Sequence, residues 1–458
     1  MKAVQIAAPQ KMAVVEIEKP ELKAGEILVK IEYVGFCGSD LNTYLGRNPM
    51  VKMPVIPGHE VGAVIDVVGP GVPESFKKGM NVTLNPYTNC GKCASCRNGR
   101  VNACEHNETL GVQRNGVMCE YAVLPWSKVI PAEGISSRDC ALIEPMSVGF
   151  HAVSRGQVID NEIVMVIGCG MVGMGAIVRA ALRGATVIAV DLDDEKLALA
   201  REVGATYVIN SRTENVHERV QEYSGGLGAD VVIEAVGSPA TYVMAVDEVS
   251  FTGRVVCIGY AKSGVEFQTK YFVQKELDIR GSRNALPADF RAVIHYMKTG
   301  NCPVEKLISS IVSPENASEA MEGWALLQHL FQDSFIFFRI DFFQSGTDVF
   351  VRQTFHTEHL HNLHTPPLIE TVLVAHVKPA ETSRIQVAFF LQMGHNPFCH
   401  FLRSPPFANL FFHVRRTTFH CRAIHFSLTL YLRFTIFFHG LIAFIIRSFP
   451  DKSFRNSI

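Results

Sequence analysis

At 458 residues the chain has room for two or three domains, and its formal net charge of -1 excludes a globally basic nucleic-acid binder or a protein drawn to anionic lipid by charge alone. Twelve cysteines, several of them tightly clustered, point to metal rather than to a secreted disulfide framework. The opening Met1-Lys2-Ala3-Val4-Gln5 lacks a charged region followed by an apolar core, so the expected compartment is the cytosol.

Residues 1 to 150 read as a β-rich domain with long loops. Segments 13–17, 27–34 and 61–68 alternate or run apolar between Gly and Pro signals, and the last is closed by Gly69-Pro70-Gly71. Inside this region Cys90, Cys93, Cys96 and Cys104 stand at C-x2-C-x2-C-x7-C spacing. Four thiolates fill a tetrahedral zinc and leave no open position, so this is expected to be a structural site. A second set flanks it: Cys37 in Cys37-Gly38-Ser39-Asp40, His59 and Glu60 in Gly58-His59-Glu60, and Glu144 before Pro145. A Cys, a His and a carboxylate leave room for water or substrate, as a catalytic zinc requires. Zinc does not need two carboxylates, so Glu60 and Glu144 remain alternatives, and Asp40 is expected to orient a ligand. The expectation is therefore two zinc ions per chain. A zinc ribbon on nucleic acid is the competing reading, but Lys92, Arg97 and Arg100 do not make a broad basic face.

From residue 151 to 287 the rhythm is strand, helix, strand. Segment 163–167 is a buried strand, 172–182 an apolar helix, 187–190 a strand, and 193–203 a helix begun by acidic residues. Further strands are expected at 207–209, 231–233, 255–257 and 277–279, which together imply a parallel sheet covered on both faces. Gly168-Cys169-Gly170-Met171-Val172-Gly173 is G-x-G-x-x-G between a strand and a helix, and Asp191 follows at the end of the next strand. That context identifies a dinucleotide loop: Gly168, Gly170 and Gly173 let the backbone of Met171 and Val172 approach a pyrophosphate at the helix N-terminus. Asp191 would bind the adenosine ribose and repel a 2′-phosphate, favouring NAD, and Lys196 is a candidate for the same ribose. Cys119, Cys140, Cys169, Cys257 and Cys302 read as core or near-surface thiols, with oxidant sensitivity an alternative for Cys169 at its helix N-terminus. A helix over 289–298 then leads back, over about 288–325, to the first domain.

Beyond residue 325 the composition changes. Residues 326–458 hold 23 of the 30 Phe and 12 of the 17 His, but only 3 of the 35 Gly. No helical or strand period is sustained across them. We read this tail as the translation of a wrong frame, non-native or disordered. The alternative is an appended membrane module at residues 424–446, but His425, Arg433 and His439 interrupt the stretch.

On Cys37-Gly38-Ser39-Asp40, Gly58-His59-Glu60, the four-Cys loop, Glu144-Pro145 and Gly168 to Gly173, residues 1 to about 325 resemble the zinc-containing medium-chain alcohol dehydrogenases. They are most similar to the polyol branch with sorbitol, threonine and L-galactonate dehydrogenases. The resemblance implies an α/β fold: a β-rich GroES-like catalytic domain, a doubly wound Rossmann domain, and here an aberrant C-terminal tail. It implies NAD-linked oxidation of a secondary alcohol, with zinc on Cys37, His59 and one carboxylate. Liver-type relatives carry Cys where this chain has Glu144, so the carboxylate points to polyols or sugar acids. Ser39 would take the substrate hydroxyl's proton and pass it outward through the cofactor ribose. A homo-oligomer is expected if the tail permits, and Tyr44, Arg283 and Asn284 are either pocket residues or polar loop residues.

Three features depart from the family pattern. Asn42 stands where a relay-ending His is common, so the relay would end in water. A glycine comes one residue early, at Gly62. The tail also replaces a closing strand, and the alternative product is a zinc- and NAD-binding body made inactive by that change.

Overall fold

The computed structural model describes residues 1–333 and, beyond them, the backbone of residues 341–345, 348–352, 372–378, 384–392 and 419–420. Contacts divide the chain into two units, Met1–Ala325 and Leu326–Ile458.

In the first unit, β-branched runs build two sheets. Strands Tyr121–Pro125, Glu26–Gly35, Glu60–Val68, Asn81–Leu84 and Val129–Pro131 lie side by side, each antiparallel to the next. Ile27, Val29, Val61, Ala63, Ile65, Val82 and Leu84 form the core under this sheet. A hairpin of Lys2–Ala8 and Lys11–Glu16 stands beside it. Ala3, Val4, Ile6 and Met12 pack there with Leu41, Tyr44, Ala317 and Met321. Lys2 Nζ reaches Glu315 at 3.0 Å, so the segment leading into helix Ala317–Asp333 lies on the N-terminal hairpin.

The second sheet has six parallel strands in the order Tyr207–Asn210, Thr186–Asp191, Ile163–Ile167, Ala229–Glu234, Val249–Cys257, Asp278–Gly281. The central strands are apolar on both faces because helices cover both, whereas edge strand Asp278–Gly281 is largely exposed. Val164 and Val166 enter one core cluster while Met165 and Ile167 enter the other, and Val187 and Ala189 alternate with Ile188 and Val190 in the same way. In this order the connection reverses between Ile163–Ile167 and Ala229–Glu234, the point at which open α/β sheets bind ligands beyond their carboxyl ends.

Two local features carry the site. Gly62 is explained by a close approach: a Cβ there would lie 1.6 Å from the Ser137 carbonyl oxygen, so only glycine lets the segment after Ser136 lie on the strand. Helix Ile143–Gly156 was not foreseen from the sequence, and the expected domain boundary at 150/151 falls inside it. Pro145 is its third residue, where the missing N–H has no intrahelical partner to lose. Its Met146, Phe150 and Val153 join the core of the parallel sheet.

The described parts of the second unit are the end of helix Ala317–Asp333 and a set of strands. Asp341–Ser345 pairs with Asp348–Arg352, and Val372–Lys378, Arg384–Gln392 and Phe419–His420 make an antiparallel set. The alternative membrane module at 424–446 lies outside the described residues, as does most of the tail. Among the described residues, no helix is long and apolar enough to cross a membrane.

Candidate functional site

Strand register assembles the first cluster. Gly35 pairs with Glu60, so the end of one strand brings Cys37 beside His59 and Glu60 at the start of the next. A Cβ at Gly35 would meet Glu60 Oε2 at 2.2 Å, so any other residue there would push the Glu60 carboxylate out of its place. Cys37 caps helix Gly38–Tyr44, its N–H donating to Asp40 Oδ2 at 3.0 Å while the Ser39 N–H points at its Sγ at 3.5 Å. Ligand atoms of Cys37, His59 and Glu60 all lie within 4.8 Å of one another. Glu144 is not part of that trio. It projects from the first turn of helix Ile143–Gly156, close enough to act on His59 and Glu60, and accepts a short hydrogen bond from the Tyr87 hydroxyl.

The electrostatics of the site suit a cation. Cys37, Asp40, Glu60 and Glu144 converge on a single imidazole. Burial raises the Cys37 thiol and the Asp40 and Glu144 carboxyls, His59 opposing in each case. Burial, then Glu144, push Glu60 up to about 8. Burial works against charge on His59, but Asp40 and Cys37 outweigh it and hold it well above its ordinary value. A divalent ion on Cys37, His59 and Glu60 would relieve the crowding of negative groups that otherwise keeps protons here. Ser39 Oγ, Asp40 Oδ1 and Asn42 Oδ1 are buried without a hydrogen-bond partner. The donor set thus fits zinc, with polar atoms left over beside it.

Tyr87 escaped the sequence reading. It lies 57 residues from Glu144, and its ring packs edge-on against Phe290 with centroids 6.4 Å apart. The available signal was its place in Asn85-Pro86-Tyr87, directly before the four-Cys loop.

Cys90, Cys93, Cys96 and Cys104 form the second cluster, all four sulfurs within 4.8 Å. The Cys90 N–H donates to Cys104 Sγ at 3.3 Å and the Cys93 N–H to Cys90 Sγ at 3.4 Å, bonds that favour thiolates. Ser95 and the amides of Cys96 and Glu105 bring Cys93 down to about 5, while burial and its sulfur neighbours push Cys96 up to about 12. Four cysteine sulfurs this close suit a tetrahedral metal, and all four are free of disulfides.

At the nucleotide loop, Gly170 caps helix Met171–Leu182 with no side chain on the helix's first amides, and a Cβ at Gly170 would meet nothing within 4 Å. The cradle in front of the helix is open, as a pyrophosphate requires. A Cβ at Gly173 would sit 1.8 Å from the Gly168 carbonyl, which fixes the tight turn. Asp191 accepts from the Cys169 N–H at 2.7 Å and from the Leu192 and Asp193 amides at 2.8 and 3.1 Å, so it braces the loop while keeping lone pairs for a ribose. Lys196 is exposed on helix Asp194–Glu202.

Cys169 is 2% exposed, and burial, then Asp191, push its thiol far up, so it is not an activated thiolate. Tyr44 is buried in the hairpin core with its hydroxyl on Glu322, while Arg283 and Asn284 bond to the backbone of the four-Cys loop, so these three are structural rather than pocket residues.

The chain is similar to known proteins. The family described as alcohol dehydrogenase GroES-like domain matches residues 23–134, and that described as zinc-binding dehydrogenase matches residues 172–299. The L-galactonate-5-dehydrogenase of Escherichia coli K12 is 32% identical over 305 residues, covering 66% of this chain and 88% of that protein. A sorbitol dehydrogenase of Halalkalibacterium halodurans is 33% identical over 300 residues, covering 64% of this chain and 87% of that protein. The crystal structure of an E. coli CFT073 alcohol dehydrogenase, RspB, complexed with NADH, is similar with a TM-score of 0.65 and 32% identity, covering 73% of this chain and 96% of the other.

Proposed function

Because the chain belongs to the zinc-containing medium-chain alcohol dehydrogenases, polyol branch, we propose that it oxidises a secondary alcohol of a polyol or sugar acid with NAD as hydride acceptor. The observation that carries this reading is the convergence of Cys37, His59 and Glu60 beside Glu144. The helix that bears Glu144 is packed directly onto the helix of the nucleotide loop. Their contact is so close that a Cβ at Gly149 would lie 2.2 Å from the Val172 carbonyl.

Cys37, His59 and Glu60 would hold the catalytic zinc, and the four cysteines a structural one. Bound there, zinc supplies Lewis acidity that lowers a hydroxyl pKa, and NAD supplies the hydride acceptor. The protein's own residues do the rest. Ser39 Oγ, buried without a partner, would accept the substrate hydroxyl's proton while passing its own outward by way of the cofactor ribose. Asn42 donates its amide to the Gly38 carbonyl at 2.9 Å and cannot ionise, so the proton leaves to water. Asp40 fixes the Cys37 backbone. Gly168 to Gly173 position the pyrophosphate and Asp191 the ribose.

The direct test is absorbance at about 340 nm, the signature of reduced nicotinamide, with purified full-length protein, NAD and a panel of polyols and sugar acids. NADH formation with at least one of them is expected, and none with any would overturn the reading. Two variants refine it. Tyr87→Phe keeps the ring packing but removes the donor to Glu144, and should lower kcat/KM by about 10–100-fold, as loss of an outer partner of a metal site does, with little change in melting temperature. Asp191→Asn removes the charge facing the ribose. A charged hydrogen bond is worth about 1.5–3 kcal/mol, so KM for NAD should rise by about 10–100-fold while NADP becomes a better relative substrate. An unchanged NAD/NADP ratio would exclude Asp191 from ribose recognition.

A further inference from the structure

Helix Ile143–Gly156 carries a second buried polar group that the reaction does not use. His151 follows Glu144 by seven residues, two helical turns, so the two side chains share one face about 10 Å apart along the axis. His151 Nδ1 lies 2.9 Å from Asp289 Oδ2, and the same oxygen accepts the Leu286 N–H at 2.9 Å. The carboxylate only accepts, so Nδ1 donates and Nε2 is left as an acceptor. The Asn102 amide fills it from 2.9 Å and donates its other hydrogen to the Arg283 carbonyl at 2.7 Å. That carbonyl fixes the orientation of the amide, since its oxygen would be repelled there. Asn102, His151 and Asp289 are 4%, 5% and 8% exposed. Asn102 stands two residues before Cys104, inside the four-Cys loop. Asn284 and Arg283 tie down the same loop through the carbonyls of Asn102 and Cys104, at 2.9 and 3.4 Å.

We propose that the Asn102–His151–Asp289 chain is a positioning device. It locks the four-Cys loop to the helix that presents Glu144 to the Cys37–His59–Glu60 cluster, so the ordered loop sets the placement of that carboxylate. The loop is then a remote brace of the catalytic metal rather than a passive strut, and His151 and Asn102 are positioning residues. The inference rests on reading the Cys37 cluster as the catalytic metal site.

The test uses the full-length zinc protein and the variants His151→Leu, Asn102→Ala and the pair combined. Zinc release to a colorimetric chelator is followed alongside melting temperature, kcat and KM. The phase belonging to the Cys37 cluster is identified as the one missing in Cys37→Ala. Each single variant is expected to release that zinc about 10-fold faster and to lose about 10-fold in kcat, the scale of an outer-shell defect, with KM for NAD unchanged. The double variant should be no worse than either single one, because both break the same chain. His151→Gln replaces His151→Leu should the latter not fold, and should restore part of the loss. Lower melting temperature with unchanged zinc release and kcat, or additive losses, would overturn the proposal. Zinc release and melting are read without substrate, so a wild-type protein inactive on every polyol would refute the functional reading while leaving this linkage testable.

Discussion

Replacing Cys37 by alanine is expected to abolish turnover and to leave NAD binding intact. Cys37 supplies the thiolate among the three converging ligand atoms, and its loss leaves His59 and Glu60 with crowded carboxylates around them. Loss of an outer partner of a metal site costs about 10–100-fold, so loss of an inner ligand should exceed that. Catalytic zinc should fall out, and metal content should drop from two ions per chain to one. The nucleotide loop is held independently, by the Gly168–Gly173 turn and by the Asp191 bonds to the amides of Cys169, Leu192 and Asp193. Calorimetric titration with NAD should therefore give an affinity close to wild type. Cys37→Ser, which preserves the size of the helix-capping side chain, separates a folding defect from a chemical one. Full activity in Cys37→Ala would refute the assignment of the catalytic metal.

The parts of this site that were legible in the sequence are those whose chemistry is local. The four cysteines, Gly58-His59-Glu60 and the glycines of the nucleotide loop declare themselves by spacing. The parallel strands were visible because both faces are buried, which leaves continuous apolar runs such as Ile163–Ile167. What stayed hidden depends on register and distance. Tyr87 meets Glu144 only because the segment before the four-Cys loop folds against helix Ile143–Gly156. That helix was masked by Pro145, Gly149 and Gly156, which read as breakers. Pro145 is tolerated in the first turn, and Gly149 is there for the close contact with the nucleotide-loop helix. At Cys169 helix position alone left a reactive thiolate open, and burial beside Asp191 decides for the core thiol. For Arg283 and Asn284 the sequence left pocket and loop roles open, because their bonds to the four-Cys loop depend on contacts distant in the chain.

Removing one sulfur of that loop, by Cys93→Ser, is expected to lower stability and activity together. Cys93 is the most acidified of the four, through Ser95 and the neighbouring amides, and so is the thiolate most ready to bind metal. Without zinc the remaining thiols repel as they ionise, and residues 90–104 lose the crosslink that orders them. The full binding energy of zinc will not be lost, because Asn102 and the Cys104 carbonyl still anchor the loop. A loss of about 3 kcal/mol is expected, within the upper range for single substitutions, which corresponds to a fall in melting temperature of roughly 6–12 °C for a domain of this scale. Metal analysis should again show one ion per chain, but the ion that remains is now the one at Cys37. If the loop were merely a fold stabiliser, kcat measured well below the new melting temperature would equal that of the wild type. If the Asn102–His151 link transmits the disorder to Glu144, kcat should fall while the affinity for NAD holds. Retention of two zinc ions by Cys93→Ser would remove the four-cysteine assignment itself.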